Sequence, residues 1–410
     1  MSLLLPQAPV NLRYKQFKNA QQCTHCGYCL PVCPTYRVEN VETQSPRGRV
    51  SAVLALASGE LEPQEAVDLL AHCIGCRACH AACPVGVRPG KLSLQARSLA
   101  PLESGRFETW LHAITDSAKL ARMASRALDL AVSLGAPRWP LGPLKRIAKL
   151  IPQHRPKPPA ATVEGAGDEV VLLSGCMARL FMPHVAESAA NVLRSMGFRV
   201  RLVSDFGCCG APHRERGDKA TLHNNVERVL DAVAIAGPET TVITDSSVCA
   251  ITIRAYGKSL PKDHARRGEA EGLSGRVKEF TEFLAEHVAQ LPAGAPGSGD
   301  DLAWHDHCQA RFGLDIVEPP RVVLDRCFPG WRDVPENGQC CGAGGEYMLR
   351  HGARSAKIRA EKLACVAQTG AGTVTGVNPG CLVNMGAGGD KQTRHLAELL
   401  AEHVRGAGTK

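Results

Sequence analysis

Two stretches of identical cysteine spacing constrain this 410-residue chain more than any other feature: Cys23 to Pro34 reads CTHCGYCLPVCP, and Cys73 to Pro84 reads CIGCRACHAACP. In the pattern CxxCxxCxxxCP, three closely spaced thiolates wrap one iron–sulfur cluster, and the fourth ligates the other cluster of a pair. A [4Fe-4S] cube takes soft thiolates at its corners, and two-residue gaps let successive sulfurs reach different irons. The proline after the fourth cysteine turns the chain away and removes an amide donor. Disulfide frameworks suit short secreted chains, and zinc takes two separated CxxC pairs, so neither explains an unbroken quartet that occurs twice. The spacing predicts two cubanes with crossed ligation: Cys23, Cys26 and Cys29 with Cys83, and Cys73, Cys76 and Cys79 with Cys33.

The length suits two or three domains, each with its own core. Eighteen cysteines are too many for a structural role alone in a chain whose hydrophobic content is 44% and aromatic content 4%. Met1 to Asn11 lacks a basic start followed by an apolar run, so the expectation is a cytoplasmic chain with reduced cysteines acting as ligands. No apolar run approaches the roughly 18 residues that span a bilayer, which leaves peripheral membrane contact. The net charge of +8 is uneven: residues 1–160 hold 20 Lys and Arg against 10 Asp and Glu, and the remainder holds 28 against 30. The excess lies with the cubane motifs, where it offsets cluster charge or faces an acidic partner or anionic lipid. The basic residues are scattered and few aromatics interleave with them, which argues against nucleic acid.

Along the chain, Asn11 to Gln22 reads as a short polar helix. The 39 residues between the motifs hold SPRGR (Ser45 to Arg49), an Ala- and Leu-rich helix over Val50 to Ser58 and another over Gln64 to Ala71. Arg47 and Arg49 either dock this loop or a partner, or are a solvated pair. From Phe107 to Leu134 apolar residues recur at helical spacing (Trp110, Ile114, Ala118, Ala121), and Leu144 to Ile151 is basic and amphipathic, either a connecting helix or a membrane-surface one. Pro152 to Gly167 reads as a linker. Strands over Val170 to Leu173, Arg199 to Val203 and Thr241 to Thr244 then alternate with helices over Pro183 to Met196 and Lys219 to Ile235, which implies a parallel, doubly wound sheet. Cysteines follow each strand, at the carboxyl ends where such sheets bind ligands.

The pattern recurs after 132 residues. Cys176, Cys208, Cys209 and Cys249 become Cys308, Cys340, Cys341 and Cys381, with CMAR facing CQAR and CCGA facing CCGA. This is a duplicated domain, expected to form two lobes about a pseudo-twofold axis with strand-end cysteines converging on a crevice. The eight cysteines are a candidate additional iron–sulfur or zinc site. Cys249 and Cys381 are placed near helix N-termini, where the dipole is expected to lower their thiol pKa. Cys327 and Cys365 fall outside both patterns and read as buried core residues. His305, His307 and His213 adjoin the thiols as candidate ligands or proton relays, against the ordinary reading of core or surface histidines. The GAGG stretches at Gly342 and Gly386 are not a dinucleotide fingerprint.

A duplicated ferredoxin motif followed by two cysteine-rich CCG domains resembles the iron–sulfur subunits of glycolate oxidase over essentially the whole chain. Relatives of that family include a subunit of anaerobic glycerol-3-phosphate dehydrogenase, lactate-utilisation proteins and heterodisulfide reductase subunits. The insert between the motifs resembles the helical ferredoxin domain of respiratory dehydrogenases. In heterodisulfide reductase the CCG pattern ends in CxxC, whereas here Ser246 and Asn378 hold the first of those positions. Serine ligates iron more readily than asparagine, so the first thiol set is expected to be the richer.

The resemblance implies an α+β multidomain fold: a helical two-cluster ferredoxin domain at 11–100, a helical and Pro-rich connector at 101–167, and doubly wound α/β CCG domains at 168–290 and 300–405. It implies an oxidoreductase complex in which separate flavin (FAD) subunits oxidise glycolate to glyoxylate. This chain then carries electrons toward a quinone or other membrane acceptor, from the cytoplasmic face of the inner membrane, and supplies no catalytic residue. The alternatives are the equivalent subunit of a glycerol-3-phosphate or lactate dehydrogenase, and a heterodisulfide-reductase-like thiol reductase.

Overall fold

The computed structural model describes residues 17–100, 102, 105–134, 150–152, 155–387 and 391–408. The chain forms two compact units, Met1–Glu103 with Pro212–Lys219, and Ser104–Ala211 with Ala220–Lys410.

The first unit is helical. Helix α1 (Pro46–Ser58) starts where Ser45 Oγ accepts the Gly48 amide at 3.0 Å and Pro46 occupies the first turn, and it ends at Gly59, whose φ is 85°. Helix α2 (Pro63–Leu70) opens on a reciprocal capping box between Glu62 and Glu65. Val50, Val53 and Leu56 of α1 pack with Ala66 and Leu70 of α2 and with Leu92 and Ala96 of helix α3 (Pro89–Arg97). Both inter-motif helices are found where their apolar spacing placed them, starting one to four residues earlier at prolines that pre-set the helical φ. Of the expected helix over 11–22, residues 11–16 lie outside the described residues, and Lys18–Gln22 is a single 3-10 turn.

The second unit begins with helices α4 (Arg106–Asp116) and α5 (Ala118–Ser133), broken at Ser117, whose side chain caps α5 through the Leu120 amide. Ile114 and Ala121 of the expected stripe are buried, whereas Trp110 is half-exposed. The basic segment Leu144 to Ile151 lies outside the described residues up to 149.

Two four-stranded parallel sheets follow. One runs in the order β2-β1-β3-β4 and the other β6-β5-β7-β8. In the first lobe the strands are β1 (Glu169–Leu173), β2 (Arg199–Val203), β3 (Val242–Thr244) and β4 (Val277–Glu279). In the second they are β5 (Leu302–Trp304), β6 (Arg332–Asp333), β7 (Thr373–Gly376) and β8 (Gln392–His395). Alternate β1 residues enter different apolar clusters, Val170 and Leu172 in one, Val171 and Leu173 in the other, so the strand is buried on both faces. The cluster holding Val170 continues into the second lobe through Trp304, Val374 and Leu400, so both lobes share one core.

The helices of the lobes pack reciprocally, as a twofold relation requires. They include α6 (Cys176–Phe181), α7 (His184–Ser195), α8 (Lys219–Val233), α9 (Ser247–Ile253) and α10 (Phe280–Glu286), then α11 (Glu318–Cys327), α12 (Gly352–Ala367), α13 (Pro379–Gly386) and α14 (Leu396–Gly408). Helix α7 packs on α14, and its counterpart α11 packs on α10. Likewise α6 packs on α13, and α9 packs on the π-helix Ala310–Leu314 that replaces α6 in the second lobe. A buried His184–Glu398 pair, at 2.9 Å, and a His395 Nε2 to Asp245 carbonyl hydrogen bond, at 3.0 Å, cross between the lobes.

Candidate cluster-binding loops and thiol sites

In the first unit the two motifs fold alike at the level of single dihedrals. The residue before the second cysteine is left-handed in both, His25 (φ 54°) and Gly75 (φ 77°), as is the residue after it, Gly27 (φ 86°) and Arg77 (φ 65°). Alternation of right- and left-handed residues turns successive amides inward, making the concave nests that hold anions and iron–sulfur groups. For His25 and Arg77 this costs on the order of 1–2 kcal/mol each, a strain that persists only where the surroundings demand it. The sulfurs also receive amides: Val87 donates to Cys83 Sγ at 3.2 Å, and the amide of Tyr28 holds the Cys26 thiol below its ordinary pKa. Donor set and backbone both fit the cubane reading.

Between the motifs, the SPRGR turn sends its two arginines to different fates. A Cβ on Gly48 would stand 2.1 Å from the Glu42 carbonyl oxygen, so only glycine lets the start of α1 press against that turn. Arg47 pairs with Glu42 at 2.7 Å, partly exposed, and donates to the His25 carbonyl at 3.1 Å. Arg49 is 3% exposed. It donates to Cys33 Sγ (3.6 Å), Thr35 Oγ1 (2.7 Å) and the His72 carbonyl (3.2 Å), tying the fourth cysteine of the first motif to the start of the second. The solvated-pair reading is thus corrected for Arg49: the cap at Ser45 aims it into the core. Burial opposes ionisation of Cys33, but Arg49 and Thr35 outweigh it and lower the thiol's pKa. Burial raises Cys79.

In the lobes, the strand-end cysteines gather as their repeat implied. Cys176 Sγ is 3.7 Å from Cys208 Sγ, and Cys209 contacts Cys249. In the second lobe Cys340 contacts Cys308, and Cys341 contacts Cys381. Cys208 and Cys340 each accept the amide of the following glycine, Gly210 or Gly342, at 3.4 Å. Ser246 Oγ and Asn378 Oδ1, equivalent residues 132 positions apart, stand 2.9 Å from each other, as residues on a twofold axis do.

The lobes then diverge. Among the described residues, the one group of three metal-ligating side chains within 4.8 Å of one another is His305, Cys341 and Cys381, all buried. This reverses the expectation that the first set is the richer. Ser246 is bonded to Asn378, and Asn378 turns its amide to Cys381 Sγ (3.2 Å) as a donor, while His305 brings an imidazole where the first lobe has Leu173. Contact with Cys340 and Cys381 holds the Cys341 thiol well below its ordinary pKa, with His305 adding to this. In the first lobe all four thiols are raised, Cys176 by its contact with Cys208 and by burial. Cys249 and Cys381 do stand near helix N-termini, but neither pKa is lowered. Cys381 is raised by its contact with Cys341 and by burial; at Cys249 burial and neighbouring negative charge outweigh the Cys209 contact.

Of the other residues singled out, His307 is buried, and His213 lies 3.7 Å from Asp218, in the first unit's segment. Cys327 is fully buried, its thiol pushed up to about 12 by burial, whereas Cys365 is only half-buried, near Gln339. Arg49 was visible in the sequence as a motif residue but not as a core cation, and His305 stood out only by adjoining Cys308.

Comparisons with known proteins agree with this geometry. The family described as "4Fe-4S dicluster domain" matches residues 19–87, and that described as "Cysteine-rich domain" matches residues 170–254 and 303–386. The chain is therefore an iron–sulfur protein joining a dicluster domain to a duplicated cysteine-rich domain. It is 28% identical to a probable glycolate oxidase iron-sulfur subunit of Bacillus subtilis and 26% identical to the glycolate oxidase iron-sulfur subunit of Escherichia coli, with 93% of each chain covered in both cases. Lactate utilization protein A of Bacillus cereus is 27% identical over 57% of this chain and 98% of its own. A crystal structure of a hypothetical protein from Helicobacter pylori shares the fold, with a TM-score of 0.56 at 10% identity, covering 96% of this chain and 76% of that one. Over nearly its whole length the chain is thus similar to glycolate oxidase iron-sulfur subunits.

Proposed function

We propose that this chain is the electron-transfer subunit of a glycolate-oxidising complex, carrying electrons from a flavin subunit toward a quinone or other membrane acceptor. The observation that carries this reading is the end-to-end match to two glycolate oxidase iron-sulfur subunits, set beside a first unit whose loops repeat one cluster-cradling backbone. The lactate-utilisation relative covers little more than half of the chain, which favours glycolate over lactate. In this reading Cys23, Cys26, Cys29 and Cys83 hold one [4Fe-4S] cluster, and Cys73, Cys76, Cys79 and Cys33 hold the other. Arg49 supports the crossing, since it sits between Cys33 and the carbonyl that precedes Cys73, and Cys33 is among the charges that act on Cys79. His305, Cys341 and Cys381 form a further, zinc- or iron-type site, because a mixed imidazole and thiolate set suits those ions.

The dicluster domain spans 11–100, the connector 101–167, and the doubly wound cysteine-rich domains 168–290 and 300–405. Among the described residues no helix is long and apolar enough to cross a membrane. In this reading the chain meets its acceptor at the membrane surface. The test is reconstitution. Anaerobically purified chain is expected to leave glycolate unoxidised by itself, and to restore glycolate-dependent quinone reduction when the flavin subunits are added. Glycolate oxidation by the isolated chain, or full quinone reduction without it, would refute the division of labour.

A further inference from the structure

The cysteine motifs require no arginine, yet one guanidinium is locked between them. The groups that Arg49 bonds to, and the charges that act on it most strongly, are neutral or thiols: Thr35, the His72 carbonyl, Cys33, and through space Cys73 and Cys79. No carboxylate neutralises it in those contacts. Its Nε–H is buried without an acceptor among the described residues, an orphan donor on the side chain that already reaches a proposed ligand. A guanidinium does not lose its proton in a protein, so this charge persists whatever the state of its neighbours. Arg47, two residues earlier, differs on each count: it is paired with Glu42, partly exposed and screened by solvent.

We propose that Arg49 is a positioning residue that raises the reduction potential of the cluster held by Cys73, Cys76, Cys79 and Cys33. This rests on the crossed two-cluster reading above. A cluster in four thiolates gains one negative charge when it takes up an electron, and burial opposes that gain. A fixed cation in the same low-dielectric surroundings stabilises the reduced form more than the oxidised one. The two ligand sets differ in the need for it: Cys26 is exposed, whereas Cys33, Cys76 and Cys79 are buried. Water stabilises the added charge on the outer set, and Arg49 does so on the inner one. The inner set thereby remains an acceptor the outer set can reach.

Redox titration of the reconstituted full chain, followed by electron paramagnetic resonance, tests this. Arg49→Gln should lower one midpoint by about tenfold or more in the reduction equilibrium, 59 mV per tenfold for one electron, and leave the other within about twofold. Arg49→Lys, which keeps the charge, should stay within about threefold of the parent. Two assembled clusters in Arg49→Gln with unchanged midpoints would overturn the proposal. So would equal tenfold losses in both variants, or loss of the inner cluster from both, which would make Arg49 a folding residue. If only Arg49→Gln loses the cluster, the Lys variant decides, by keeping or losing the parental midpoint. Failure of the underlying reading looks different: the unsubstituted chain would show fewer than two clusters.

Discussion

The two cysteine-rich lobes have the same strand order, the same four cysteines and a shared core, yet at their thiols they are chemically unlike. The first lobe packs Leu173 and Leu230 where the second places His305 and Lys362. Its buried cation is Arg179, which donates to the Gly207 carbonyl at 3.1 Å and stands 5.7 Å over the Phe206 ring. In the second lobe the arginine of the same motif, Arg311, turns outward to pair with Asp306 at 2.6 Å across a π-helix, and the buried cation is Lys362, held by Asn337. Duplication preserved the scaffold while single substitutions redistributed charge, so that all four thiols of the first lobe have raised pKa values, whereas in the second lobe Cys341, beside the His305 imidazole, is lowered. Close backbone approach is specified by the shared CCG motif; ligand chemistry is specified by residues outside it.

The largest expected effect is on metal content. Cys381→Ser and His305→Ala should each remove the metal equivalent that remains beyond the two cubanes, whereas Cys249→Ser should leave it in place. Iron and zinc analysis of anaerobically purified chain reads this directly. Equal losses from both lobes, or about eight irons with no further metal in the parent chain, would erase the difference between them.

Next in size is the inward versus outward arginine. Arg179→Ala leaves buried carbonyls without donors and is expected to cost about 3 kcal/mol. Arg311→Ala should cost about 1 kcal/mol or less, because Arg311 is partly exposed and Arg321 still holds Asp306 at 3.1 Å. Urea unfolding of both variants compares the two, and equal shifts would show that the motif arginines do the same job after all.

The smallest effect is a difference in pH response at the last strand of each lobe. Glu279 ends β4 as His395 ends β8, and a helix, α10 or α14, starts at the next residue. Burial raises Glu279 to about 7 from 4.5, and lowers His395 to about 4 from 6.5. The folded chain therefore holds the Glu279 proton more tightly than the unfolded chain does. That contribution is fully present below pH 4.5 and is lost as pH rises through about 7, up to about 3 kcal/mol from a shift of this size. His395 acts oppositely: its contribution is present above pH 6.5 and is lost as pH falls through about 4. Glu279→Gln should flatten the fall in melting temperature between pH 5.5 and 8 while leaving the acid limb intact. An unchanged slope above pH 5.5 would show that the carboxyl is not titrating there.

Much of this was legible without coordinates, because spacing is a one-dimensional property. Ligand runs, the 132-residue repeat and the alternation of strands with helices follow from covalent order and local propensity, and β2 appears at the residues its pattern marked. What lay beyond the sequence is where long side chains end up. Arg47 and Arg49 are two residues apart in one motif, and only the direction of the α1 cap sends one to solvent and the other to Cys33. His305 reads like any core histidine until the β5 and β7 ends bring it to Cys341 and Cys381. The rise of the Cys249 and Cys381 pKa was equally hidden: a helix N-terminus is a local feature, whereas burial is set by the whole lobe. The sequence by itself determined which thiols exist and how they repeat. The tertiary structure decided which cations and imidazoles face them, since those contacts join residues far apart in the chain and depend on packing that no local pattern encodes.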